Sequence, residues 1–141
     1  LPSSRHTSFS KIYFGNMSSV KISRLKKVNY KEKKIICVFQ PHRISILNYL
    51  KNEFSYSFNK SDSVILCPIY KAGENLKLNL NYNEFAKQII KQSKVRVFFV
   101  NSQKQLAKFL KNFLKKKNIV IGMGAGSISN WIKELPSLMR K

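Results

Sequence analysis

Acidic residues are scarce. Six Asp and Glu stand against 27 Lys and Arg in 141 residues, a formal net charge of +21. Asp62 is the only aspartate, and no carboxylate precedes Glu32. Histidine is nearly missing too, with His6 and His42 alone. From this stock it is hard to assemble paired carboxylates for acid–base work, a carboxylate cage for a metal, or a Ser-His-Asp arrangement. We therefore assign no catalytic residue and no metal ligand from the residues themselves.

Cysteine is limited to Cys37 and Cys67, each inside an apolar run and without the spacing of a metal site. A disulfide framework is excluded, and buried thiols in a reducing compartment are expected. No apolar run approaches the roughly 20 residues that span a bilayer. The N-terminus shows no secretory signal pattern. A cytoplasmic protein that engages no membrane is the expectation. With Leu1 in place of Met, a fragment or a processed product is the expectation.

The charge excess points in two directions. A basic chain suits nucleic acid or an anionic surface. The same excess arises when a lysine-rich composition covers every solvated face. Lysine far outnumbers arginine here, and arginine-led clusters with exposed aromatics are absent. A solvated surface is the preferred reading, nucleic acid is not expected as a partner, and a basic nucleic-acid-binding α/β module stays as the alternative.

Four runs are continuously apolar: KIICVF (34–39), SVILCPIY (63–70), VRVFFV (95–100) and NIVIG (118–122). Unbroken rather than alternating apolar residues predict strands covered on both faces, as in a parallel sheet. Pro68 marks a bulge or the end of pairing in the second run. Helical stripes lie between them. Ile46, Leu47, Leu50, Phe54 and Phe58 form one, and Tyr82, Phe85, Ala86, Ile89 and Ile90 another. Leu106, Phe109, Leu110, Phe113 and Leu114 form the clearest, with Lys104, Lys108, Lys111 and Lys115 opposite. A last helix is predicted over about Ser127 to Met139.

Strands alternating with helices of this length predict βαβ units and an α/β fold, a three-layer open sheet. Residues 28–141 are read as that one domain. Residues 1–27 form a less defined segment. In it, LPSSRHTS reads as a loose polar start, KIYFG (11–15) as a candidate strand, and VKISRLKKVNY (20–30) as a candidate helix.

In open α/β sheets ligands bind beyond the carboxyl ends of the strands, and three clusters fall there. The first is Gln40-Pro41-His42-Arg43, where Arg43 offers a planar fork of donors for a carboxylate or phosphate. It serves equally as a turn leading into a helix. The second is YKAGE (70–74), with Gly73 for a tight turn and Glu74 as one of the few acids, or else an ordinary loop. The third is GMGAGSISNW (122–131). Gly122, Gly124, Gly126 and Ser127 suit an anion-binding loop before a helix. A simple turn with Ser127 as N-cap fits the same residues. It is not a P-loop, because no Lys-Ser or Lys-Thr pair follows at the required spacing.

Taken in order and spacing, VFQPHRIS, DSVILCPIYKAGE and NIVIGMGAGSIS resemble the C-terminal domain of the Mur ligases, over about residues 28–135. The resemblance implies a Rossmann-like sheet, mainly parallel, with one antiparallel strand. It implies a larger enzyme with a UDP-sugar-binding domain and a central ATPase domain, both missing from this chain as partners. ATP and magnesium are implied for that full enzyme, none bound by this chain alone. UDP-N-acetylmuramate, activated as an acyl phosphate, and L-alanine are implied as substrates, in the bacterial cytoplasm and in cell-wall synthesis. His42 and Arg43 would then face the reacting centre, with Gly73 and Glu74 nearby.

Two departures stand out. The family follows its motif Arg with a second Arg three residues on, where this chain has Ile46. The family's upstream Asp-Tyr-Ala-His-His-Pro segment is also gone. KIYFGNMSSVKISRL stands in its place, either with Gly15, Asn16 and Met17 replacing His, His and Pro, or with the segment deleted. A domain inactive alone, from a fragment or a decayed copy, is the expectation.

Overall fold

The structure, a computed structural model, describes residues 3–6, 10–14, 34–41, 55, 58–69, 82–113, 118–124 and 127–140, the first two segments by backbone alone. The elements run β1 (Ser3–His6), β2 (Ser10–Phe14), β3 (Lys34–Phe39), β4 (Ser63–Leu66), α1 (Tyr82–Ser93), β5 (Arg96–Phe99), α2 (Gln103–Phe113), β6 (Asn118–Met123) and α3 (Ile128–Met139). They form one sheet in the order β1-β2-β6-β3-β4-β5. Every pairing is parallel except β1 with β2, which is antiparallel.

The unbroken apolar runs are explained by the layers on either side. Ile35, Cys37 and Phe39 point to one face with Val64, Leu66, Ile119 and Ile121, where Phe85, Ala86 and Ile89 of α1 and Phe58 cover them. Ile36 and Val38 point to the other face with Ile65, Cys67 and Val120, under Leu106, Ala107 and Leu110 of α2 and Ile128, Ile132, Leu135 and Met139 of α3. Each of the large side chains buried this way contributes about 1.5–3 kcal/mol. The period of two within β3 thus serves two cores at once.

Two expectations need correction. LPSSRHTS was expected as a loose start, yet Ser3–His6 pairs residue for residue with Lys11–Phe14 at the sheet edge. An edge strand buries little, so it needs no apolar pattern. The second apolar run was read over 63–70 with Pro68 as a bulge or the end of pairing, but β4 ends two residues before that proline, at Leu66. Pro68 has no N–H to give a ladder, and the carbonyls of Cys67 and Pro68 accept from side chains instead. The candidate helices near 46–58 and 20–30 lie outside the described residues, Ser55 and Phe58 apart.

Candidate functional site

Because β2, β3, β4, β5 and β6 are mutually parallel, their carboxyl ends share one edge. The segments after β3, β4 and β6 all leave from it, as the sequence clusters require. The residue that joins them is Gln40, directly after β3 and only 3% exposed. Its main-chain N–H donates to the Met123 carbonyl at 3.0 Å, extending the pairing of β3 with β6 by one residue. Its side-chain Nε2 donates to the Pro68 carbonyl at 3.2 Å and to Ser127 Oγ at 2.9 Å. Its Oε1 accepts from the Ile128 main-chain N–H at 2.9 Å.

The direction of that amide is fixed by chemistry. An Ile N–H can only donate and a Pro carbonyl can only accept, so oxygen must face α3 and nitrogen must face β4. Glutamate has no second donor to offer, and asparagine is a methylene shorter.

This arrangement changes the reading of Ser127. One of its two readings, beside a place in an anion-binding loop, was a cap on α3 through its own side chain. Its backbone is already helical, φ −65° and ψ −13°, and its hydroxyl makes no cap bond. Gln40 supplies the acceptor for the first N–H instead, from 88 residues away in sequence. An orphan donor at the helix start is thus satisfied by tertiary structure.

The glycines divide. Gly122 lies within β6, in register with Phe14 on one side and Val38 on the other. Gly124 follows the strand at φ +143°, where a Cβ would stand 2.6 Å from the Gln40 carbonyl oxygen and 3.0 Å from Ile128 Cγ2. Its lack of a side chain is what lets the β6–α3 connection pass over Gln40. Gly126, His42, Arg43, Gly73 and Glu74 lie outside the described residues. Pro41, directly before His42, is buried.

A second tie closes the base of the segment after β4. The Tyr82 hydroxyl, at the start of α1, donates to the Cys67 carbonyl at 2.6 Å. Burial pushes that phenol well above its ordinary range, so it acts as a fixed donor rather than an acid. From sequence Gln40 stood in the first cluster without a role of its own, and Tyr82 only in a helical stripe. The signal for Gln40 was slight, a polar side chain directly after an unbroken buried strand.

Away from this edge, further described polar groups tie the fold together. Cys37 Sγ lies 2.9 Å from Ser61 Oγ, and Asp62 Oδ2 accepts from the Ile35 N–H at 2.7 Å. Burial pushes both thiols up to about 12, so neither supplies a nucleophile at neutral pH. Among the described residues no three of His, Cys, Asp or Glu come together as a metal ion requires. None of their helices is long and apolar enough to cross a membrane.

No family model matches the chain. The UDP-N-acetylmuramate–L-alanine ligase of Pelagibacter ubique is 62% identical to it over 110 residues, covering 78% of this chain and 24% of that protein. A ligase of the same name from a Sulfurihydrogenibium species is 36% identical over 100 residues, 71% of this chain and 22% of its own. Among solved structures, the murein peptide ligase of Psychrobacter arcticus superposes with a TM-score of 0.70 at 11% identity, over 94% of this chain and 28% of that one. The UDP-N-acetylmuramate–alanine ligase of Thermotoga maritima does so with 0.64 at 17%, over 93% and 27%. The two structures establish a shared fold. The chain spans about a quarter of the length of the curated relatives it matches.

Proposed function

The chain is a Mur ligase homologue over most of its length, and from that premise we propose that it is the amino-acid-positioning C-terminal domain of a peptidoglycan ligase. The reaction is the ATP-dependent joining of L-alanine to UDP-N-acetylmuramate. The observation that carries this is the 62% identity over 110 residues to a protein of that name. The geometry supports it. The segments bearing His42-Arg43, Gly73-Glu74 and the glycine loop all start from the carboxyl edge of one parallel sheet.

The role follows from the chemistry of acyl transfer. A carboxylate activated by phosphorylation is electrophilic, and an amine must meet it in line. The Arg43 guanidinium, with its fork of donors, suits the carboxylate of the incoming amino acid or the charge developing on the leaving phosphate. His42 beside it adds a donor. Positioning and charge neutralisation are what such a transfer asks of a domain that covers the reacting centre. ATP and magnesium belong to the assembled ligase. Residues 1–141 contain no phosphate loop, and no Lys follows the glycines at 122–126 to neutralise a transferring phosphoryl group. The partners are therefore the UDP-sugar-binding and ATPase domains, on the same polypeptide or another, in the bacterial cytoplasm.

The test adds the 141-residue chain to a related ligase truncated of the matching quarter. Phosphate release and product formation are followed. The chain alone should do neither. The mixture should show turnover that Arg43→Ala abolishes. Restoration should fall short of the intact relative, because Ile46 stands where the family has an Arg, and one lost charged contact costs ~10²-fold. ATP turnover by the chain alone, lost in Arg43→Ala, would overturn the assignment of roles.

A further inference from the structure

We propose that Gln40 is the positioning residue of the carboxyl edge. Through one side-chain amide it locks the starts of the segments after β3, β4 and β6 together, so that the backbone leading into His42-Arg43 cannot shift without moving the others. That this edge serves a ligase rests on the function proposed above; the locking itself does not.

The argument is one of valence. A side-chain amide has two N–H donors and a carbonyl oxygen that accepts. Gln40 spends both donors, on Pro68 and Ser127, and its oxygen on Ile128. Its own N–H is spent on Met123, and its carbonyl is packed under Gly124. Both side-chain donors of Gln40 are thus committed to the fold, and its oxygen is held at the start of α3. A buried amide held by partners from two other segments, the one after β4 and the one after β6, has one geometry that satisfies all of them. Any displacement of one segment leaves a buried donor or acceptor unpaired, which costs far more than the same bond made at the surface. The carbonyl of Cys67, one residue before Pro68, is held by Tyr82 as well. The segment after β4 therefore leaves the sheet from two pinned peptide units. In effect three loops are referred to a single point. A site assembled from such loops inherits their common frame, which is what sub-ångström placement of reacting groups demands.

The test is amide hydrogen exchange on the whole 141-residue chain, comparing Gln40→Met, Gln40→Glu and Ile132→Val. Methionine keeps the length and removes all three bonds. Ile132→Val, in the core under α3, lowers overall stability without touching the edge. Gln40→Met should speed exchange at the main-chain N–H groups of residue 40, Cys67 and Ile128 together, by roughly tenfold or more beyond the change in the strands. Ile132→Val should change edge and strands alike. Gln40→Glu supplies the discriminating readout. Its ionised carboxylate cannot donate to Pro68 or Ser127, whereas its protonated form has a hydroxyl to donate and an oxygen to accept from Ile128. Protection of the three segments should therefore return as pH falls through that carboxyl's titration, and no such recovery should appear in Gln40→Met. Equal loss of protection across edge and core in Gln40→Met would overturn the proposal. So would loosening confined to Ile128, or a Gln40→Glu profile without pH dependence. Failure of ligase complementation, by contrast, would leave these exchange patterns as predicted.

Discussion

At the scale of single residues, the two cysteines set a pH limit on the fold. Burial pushes Cys37 and Cys67 from an ordinary 9.0 up to about 12, and the neighbouring Asp62 pushes Cys37 the same way against the opposing Ser61 bond. Unfolded thiols ionise near 9 while the folded ones stay protonated. The stability they contribute is full below that pH and is lost as pH rises through about 12. The urea midpoint should fall steadily above pH 9, and the Cys37→Ala, Cys67→Ala double variant should show a shallower fall. A thiol reagent at about pH 8 should label the native chain far more slowly than the unfolded one; equal rates would contradict the burial. These thiols were legible in the sequence because each sits in an apolar run. Gln40 was not. Nothing in QPHR says that its amide will meet Ser127 and Ile128, since both lie some 87 residues on. Local pattern reports what a residue buries, and only the closed sheet reports whom a polar group meets.

At the scale of elements, the strands were legible and their ends were not. KIICVF became β3 without change, because two covered faces demand an unbroken apolar run. β1 was invisible, since Ser-Ser-Arg-His carries no period and an edge strand needs none. β4 stopped early because carbonyls beyond Leu66 are taken by Gln40 and Tyr82. The helix starts divide in the same way. α2 is capped locally, with Ser102 Oγ accepting from the Gln105 N–H at 3.1 Å and the Gln105 side chain accepting from the Asn101 N–H. This is a reciprocal arrangement close to a capping box, readable from Ser-x-x-Gln. α3 is capped by a residue from another element. The end of α1 holds a local strain. Lys94 has φ 56°, and its N–H closes the helix on the Ile90 carbonyl at 3.0 Å. This left-handed terminal position is one that glycine fills without steric cost. Lys94→Gly should stabilise the chain by about 0.5–1 kcal/mol, the relief of a left-handed residue less the added freedom of the unfolded chain. The check is the denaturant midpoint at constant m-value. Destabilisation would mean that the exposed Lys94 side chain makes a contact worth more than the strain.

At the scale of the whole molecule, the charge governs how the isolated chain responds to salt. With 27 basic groups and six acids, cations far outnumber the carboxylates that could pair with them. The outer face of α2 carries Lys104 and Lys108, both exposed along one helix. Attractive pairs do little to offset the excess. Lys87 and Glu84 lie 3.6 Å apart but are 73% and 63% exposed, and pairs so solvated contribute little. Arg96 is placed differently, its guanidinium 5.7 Å from the Phe98 ring centroid and 5.5 Å from that of Phe113. Such a contact survives salt better than a solvated ion pair, because one partner carries no net charge. Folding brings the lysines closer than they stand in the unfolded chain, so their repulsion opposes the compact state. Raising salt from about 20 mM to about 200 mM shortens the screening length from about 20 Å to about 7 Å. Over that range repulsion across the molecule fades while short contacts persist. The melting temperature should therefore rise by several degrees. Sodium chloride is the salt to use, since sulfate and phosphate would stabilise by exclusion as well. A melting temperature that falls with sodium chloride would show that attractive networks outweigh the +21 excess, and the lysine faces would then have to be read as paired rather than solvated.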